Sequence, residues 1–205
     1  MDIFDKLYDY QKDRVKEIIR NSETADYGQT VFFGDSIIQS YDLKTYFPNE
    51  NYYNCGVLGA TTVQLLYLHD YAIQKYKPKN IVLMIGTNDL DDVHQYEPLD
   101  IVYNVYKLLE IIDVRYDVDN IYILSPLPID ESRMKQGLRD NRQLKLLGKE
   151  YEKLTMEFEN VHYINLFEDF LVDGQIHAEY TSDGLHITAK GYAIISEKLK
   201  EIYKI

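Results

Sequence analysis

Ser36, Asp183 and His186 are the residues whose types and surroundings could carry acyl-transfer chemistry in this chain. Ser36 interrupts the apolar run VFFGDSIIQS at 31–40; Asp183 and His186 lie three positions apart in YTSDGLHITAKGY at 180–192, with Gly184 between them to permit a tight turn. A serine hydroxyl is a weak nucleophile until a base takes its proton. A histidine backed by a carboxylate supplies that base, because a carboxylate on Nδ1 fixes the tautomer that leaves Nε2 as acceptor. The tetrahedral adduct then needs donors aimed at its negative oxygen. Asn88, in MIGTNDL, offers an uncharged NH₂ donor. Gly59, in NCGVLGATT, lets a backbone N–H approach closely, with Gly56 as the alternative in the same segment. The N–H of Ser36 is a third donor if a helix begins there, since first-turn N–H groups lack partners and favour negative charge.

These residues are far apart in sequence, so the fold must bring them together. Apolar, β-branched-rich runs at 30–33, 52–55, 80–85, 120–124 and 162–166 have strand length. Between and after them come helical spacings: Val63, Leu66 and Tyr67; Val102, Val105, Leu108, Leu109 and Ile112; Leu144, Leu147, Tyr151, Leu154 and Phe158; and Tyr192, Ile195, Leu199 and Ile202, with Thr188 suited to cap the last helix. Another helix is expected at about 2–22. Short apolar strands alternating with helices predict an α/β domain, a three-layer sandwich around a parallel sheet. Five strands suit the doubly wound, flavodoxin-like order 2-1-3-4-5, which opens a crevice at the carboxyl ends of strands 1 to 3. There FFGDSI, NCGVLGATT and MIGTNDL would meet. Strand 5 would lie roughly 14–15 Å from strand 1, at about 4.8 Å per strand. The stretch from 166 to 186 spans that gap easily at up to about 3.3 Å per residue.

With these blocks in view, the chain resembles the SGNH hydrolases, the GDSL esterase and lipase family. FFGDSI is similar to the family's first block, NCGVLGATT to the second, GTND to the third and DGLH to the last. The resemblance implies Ser36 as nucleophile, Asp183 and His186 as its partners, and Ser36, Gly59 and Asn88 as the oxyanion hole, on a flavodoxin-like fold. Two departures stand out. Ile37 follows the serine in place of leucine, and Ala60 stands where many relatives carry aspartate.

Bulk properties narrow the alternatives. The chain has 205 residues, 45% of them hydrophobic and 27% charged, which suits one domain over 1–205. Its 22 basic and 34 acidic residues give a net charge of −12, which argues against nucleic acid and anionic membrane surfaces. The amino-terminal segment is charged throughout and reads as neither a signal peptide nor a membrane span. Cys55 is the single cysteine, so the default location is the cytoplasm. A homo-oligomer has no signature in one sequence.

Each candidate also has a structural reading. Ser36 could be a helix cap, Asn88 a loop brace and Gly59 a turn glycine. Asp35 adjoins Ser36 and is expected to hold its turn. Asp89, Asp91 and Asp92 are expected to form a solvated acidic rim, since no helical His pair or Cys cluster completes a metal site. His69 and His162 are expected in surface or packing roles, with His94 and His177 as candidates for the pocket rim. The twenty tyrosines are given no role. The expectation is a serine esterase acting through an acyl-enzyme, with no metal or organic cofactor, on small ester substrates of short acyl chain, such as acetyl esters and acetylated carbohydrate. Lysophospholipase or thioesterase action, a non-catalytic flavodoxin-like binding module and an inactive homologue are the rivals.

Overall fold

The computed structural model describes residues 3–91, 93–134 and 139–203. Five parallel strands, β1 (Thr30–Gly34), β2 (Tyr53–Gly56), β3 (Asn80–Met84), β4 (Asn120–Leu124) and β5 (Val161–Ile164), form one sheet in the order β2-β1-β3-β4-β5. The α/β architecture and strand order are those expected from the sequence. Register is in step across the centre, with Phe33 paired to Cys55 on one side and to Leu83 on the other.

Alternation along each strand sends side chains to opposite faces, and both faces are covered. Val31, Phe33, Ile81, Leu83, Ile121 and Ile123 pack under α1 (Asp9–Ser22), α4 (Thr62–His69), α5 (Pro98–Arg115) and α6 (Asn141–Leu154). Phe32, Val82, Met84, Tyr122 and Leu124 face α2 (Ser36–Gln39), α3 (Leu43–Tyr46) and α7 (Ala189–Tyr203). Phe32 and Phe33 are both fully buried, one on each side, and truncating either to alanine would cost about 3–5 kcal/mol. Thr188 accepts the Gly191 N–H at 3.5 Å and so caps α7.

Three details differ from the sequence reading. The amino-terminal helix begins at Asp9, after a separate 3₁₀ turn at Ile3–Lys6; residue 2 lies outside the described residues. On α4 the buried residues include Leu65 and Leu68, whereas Tyr67 is exposed. The sequence TVQLLYLH is apolar nearly all round, so its periodicity cannot choose a face, and the polar ties of Thr62 and Gln64 set its rotation. Beyond β5, a small hairpin of β6 (Leu171–Val172) and β7 (Gln175–Ile176) is too short to leave a pattern.

Candidate active site

At the end of β1 the chain turns sharply into α2. A side chain at Gly34 would collide with the Met84 carbonyl on the neighbouring strand, so the two strands can approach closely only with glycine there. Asp35 caps α2, its Oδ1 accepting the Ile37 N–H at 2.9 Å, which is the turn-holding part expected of it. Ser36 is the first residue of α2 and is buried. Burial pushes the Asp35 carboxyl up to about 6, against the pull of the Ile37 N–H.

The second loop follows β2. The Val57 N–H donates to the Gly34 carbonyl at 2.9 Å and the Ala60 N–H closes a turn on the Val57 carbonyl at 3.0 Å, leaving Gly59 at φ +67°, where a side chain is disfavoured. This loop is tied directly to α2. The Leu58 N–H donates to Gln39 Oε1 at 2.6 Å, and Asn54 Nδ2 donates to the carbonyls of Ile38 at 2.6 Å and Tyr41 at 3.1 Å. Any side chain at Gly56, the other candidate donor, would strike the Gln39 backbone.

The third loop carries Asn88 in a 3₁₀ turn, Asn88–Leu90. Asn88 Nδ2 donates to the Ala60 carbonyl at 3.0 Å; an NH₂ group has two hydrogens, so one orients the amide and the other remains to donate. Asp89 overturns the expectation of an acidic rim. It is 0% exposed and turned inward, accepting from the Thr62 N–H at 3.0 Å, from the Thr62 hydroxyl and so binding the third loop to α4. Burial raises its carboxyl to about 6 in spite of those bonds. Asp91 is also committed, pairing with His94 Nδ1 at 2.8 Å and Arg139 at 3.5 Å, and Asp92 lies outside the described residues.

The last loop returns over the sheet. A bridge between Thr181 and Ile187 closes it, Gly184 has φ +96°, and the Gly184 carbonyl accepts the Asp130 N–H at 2.8 Å. Asp183 Oδ1 accepts the N–H groups of Leu185 at 2.9 Å and His186 at 2.7 Å, while Oδ2 lies 2.6 Å from His186 Nδ1. On the other side of the ring, His186 Nε2 is 3.1 Å from Ser36 Oγ. Partial burial would raise Asp183, but the imidazole and the two N–H groups outweigh it and hold the carboxyl at about 2. The Asp183 and His186 side chains are 52% and 38% exposed, so the arrangement opens to solvent.

The other histidines have separate partners. His69 is buried with Nδ1 2.6 Å from the Tyr116 hydroxyl, and His162 is exposed beside Asn120 at 3.1 Å. His94 lies against the third loop, with Nδ1 3.1 Å from the Asn88 carbonyl, and Nε2 3.3 Å from the Tyr8 hydroxyl. His177 packs on Tyr180 with centroids 4.9 Å apart. Sequence reasoning missed Arg14, Gln11, Tyr8 and Tyr10, all on or at the start of α1. Gln11 Nε2 donates to the Leu58 carbonyl at 3.0 Å, and Arg14 donates to the carbonyls of Gly56 at 3.0 Å and Asn54 at 2.8 Å. Only the amphipathic pattern of α1 hinted that this helix docks at all.

Comparison with known proteins shows which family the chain belongs to. Platelet-activating factor acetylhydrolase IB subunit alpha2 of Homo sapiens is 28% identical over 178 residues, which cover 84% of this chain and 74% of that protein. N-acylneuraminate cytidylyltransferase of Escherichia coli is 26% identical over 204 residues, 97% of this chain but 45% of that protein. A solved structure from Streptococcus pneumonia, provisionally described as a platelet activating factor, superposes with a TM-score of 0.85 at 27% identity, covering 94% of this chain and 92% of that one. Residues 24–194 match the model of the GDSL-like Lipase/Acylhydrolase family. That match spans most of the chain and all four loops above, and the chain belongs to this family of carboxylic ester hydrolases.

Proposed function

We propose that the protein hydrolyses short-chain acyl esters, acetyl esters foremost, through an acyl-enzyme on Ser36. The observation that carries this reading is the imidazole of His186, hydrogen-bonded to Asp183 through Nδ1 at 2.6 Å and to Ser36 Oγ through Nε2 at 3.1 Å. His186 takes the Ser36 proton as Oγ attacks the ester carbonyl. Asp183 holds the imidazole in place and stabilises its positive charge. The oxyanion is held by the N–H groups of Ser36 and Gly59 and by the second hydrogen of the Asn88 amide. When the tetrahedral adduct collapses, the C–O bond to the alcohol breaks and His186 gives its proton to the leaving oxygen. A water molecule then attacks the acyl-enzyme by the same route, releasing the acid and restoring Ser36.

The preference for a short acyl chain is supported by the lack of an apolar insertion in the sequence that would form a lid or long cleft, and by the name of the acetylhydrolase relative. Acetylated carbohydrate is the alcohol class we favour within this reading. Cytoplasmic residence belongs to the same proposal and rests on cysteine usage: the single Cys55 can form no intrachain disulfide. Two measurements test the reading. A fluorophosphonate probe should label the wild-type protein at neutral pH and fail to label Ser36→Ala. Turnover of p-nitrophenyl esters should fall as the acyl chain lengthens from acetyl. Absence of labelling would remove the nucleophile, and a rise with chain length would turn the substrate assignment towards lipids.

A further inference from the structure

We propose that Tyr8 and Tyr10 form an aromatic subsite for a ring in the alcohol portion of the ester, an inference that rests on the ester-hydrolase reading above. Both tyrosines precede residue 24, where the family match begins. Their rings are stacked with centroids 5.6 Å apart and planes inclined by 5°. They are 43% and 58% exposed, and because they stack on one another that exposed aromatic surface is contiguous.

Their position gives the surface its meaning. The Tyr10 hydroxyl lies 2.7 Å from where a β-carbon on Gly59 would sit, and so stands beside the second loop and its oxyanion donor. The Tyr8 hydroxyl is 3.3 Å from His94, whose other nitrogen contacts the carbonyl of Asn88 in the third loop. The stacked pair therefore borders both loops that flank the reacting carbonyl, and Gln11 fixes it there through the Leu58 carbonyl. Leu58, whose carbonyl Gln11 holds, is itself exposed.

The chemistry of the pair selects the ligand. Parallel phenol planes present a flat π surface, which the C–H face of a sugar or an aromatic ring can cover, with hydroxyls at its margin for polar contacts. Asp91, beside His94, disfavours an anionic group at this place. The proposed acyl group is too small to reach a lip, so the ring belongs to the alcohol.

The test compares kcat/KM for two ring esters, phenyl acetate and an acetylated methyl glucoside, with that for ringless ethyl acetate. In Tyr10→Ala the ratio of ring to ringless kcat/KM should fall by roughly three- to tenfold, mainly through KM, as expected for one stacking contact. Tyr8→Ala should move it in the same direction, and Tyr10→Phe, which keeps the ring, should retain the wild-type ratio. An unmoved ratio, an equal loss on all three esters, or Tyr10→Phe behaving like Tyr10→Ala would each overturn the subsite. So would a wild-type dimer that Tyr10→Ala converts to monomer with the ratio unchanged, which would assign the pair to contact between copies. If the wild-type protein cleaves none of the esters and takes no fluorophosphonate, the ester-hydrolase reading falls and the subsite with it. Turnover and labelling with an unmoved ratio would remove the subsite alone.

Discussion

Two carboxyl groups close to Ser36 carry opposite consequences for pH. Asp183 is held at about 2, below the ordinary 3.8, so its contribution to stability is present above 3.8 and lost as pH falls towards 2. Half exposed, it contributes little, and it remains ionised wherever the enzyme would be assayed. Asp35 is the reverse case. Burial raises it to about 6, so the folded state holds its proton more tightly than the unfolded chain, and stability is lost as pH rises from 3.8 to 6. Asp35→Asn keeps an oxygen for the Ile37 N–H but cannot ionise. Relative to the wild type, this variant should lose less stability between pH 4 and pH 6, by on the order of 2 kcal/mol, in urea unfolding followed across that range. Parallel stability curves for the two proteins would show that Asp35 does not titrate there. Asp89 was the residue least readable in advance. Three acids within four positions look like a solvated rim, and what turns Asp89 inward is Thr62, 27 residues away in sequence.

At the level of elements, the strands were legible because each is a short apolar run bounded by polar or small residues, and β4 lies where it was expected, at Asn120–Leu124. The positions of the four loops followed from the strand order. What sequence could not supply was the bracing between them, because it depends on side chains from one element meeting carbonyls of another. Arg14 is the clearest instance. On α1 it reads as one more exposed charge on an amphipathic helix, yet its guanidinium ties the carbonyls of Gly56 and Asn54 and the Asn54 side chain at 2.8 to 3.0 Å. Those bonds fix the end of β2 and, through it, the Gly59 loop. A loop whose N–H serves the transition state, as proposed for Gly59, needs to be held before reaction, not ordered during it. Arg14→Met should therefore lower kcat by about tenfold with little change in KM, because an oxyanion contact strengthens only in the transition state. Arg14→Lys should recover part of the loss, since an ammonium can reach one acceptor but not span the set. A change confined to KM, or to thermal stability with kcat intact, would show that the clamp serves folding alone.

The molecule as a whole separates its shape from its chemistry. A cleft of about 540 Å³ lies between Tyr27, Gly28, Lys77, Lys79, Arg115 and Asp117, residues that precede β1, β3 and β4, and so at the amino ends of the strands. Ser36, Gly59, Asn88 and His186 gather at the carboxyl ends, where a doubly wound sheet opens its crevice. That cleft is thus at the opposite end of the sheet from the proposed catalytic residues. Charge bears on the end that holds those residues. With a net charge of −12 the molecule repels anions over a distance that salt shortens, about 30 Å at 0.01 M ionic strength and about 10 Å at 0.1 M. Asp91 and the ionised Asp183 add to the negative side of the crevice, with Arg139 and His186 their paired countercharges or partners. Two acetyl esters of similar ring size should then respond differently to salt. For acetylsalicylate, an anion, kcat/KM should rise severalfold as ionic strength increases from about 0.01 to 0.2 M, through the association step. For neutral phenyl acetate it should stay nearly constant over the same range. Equal salt responses for the two esters would mean that the field of the whole chain does not reach the crevice, and that discrimination against anions, if measured at all, is set by contacts within it.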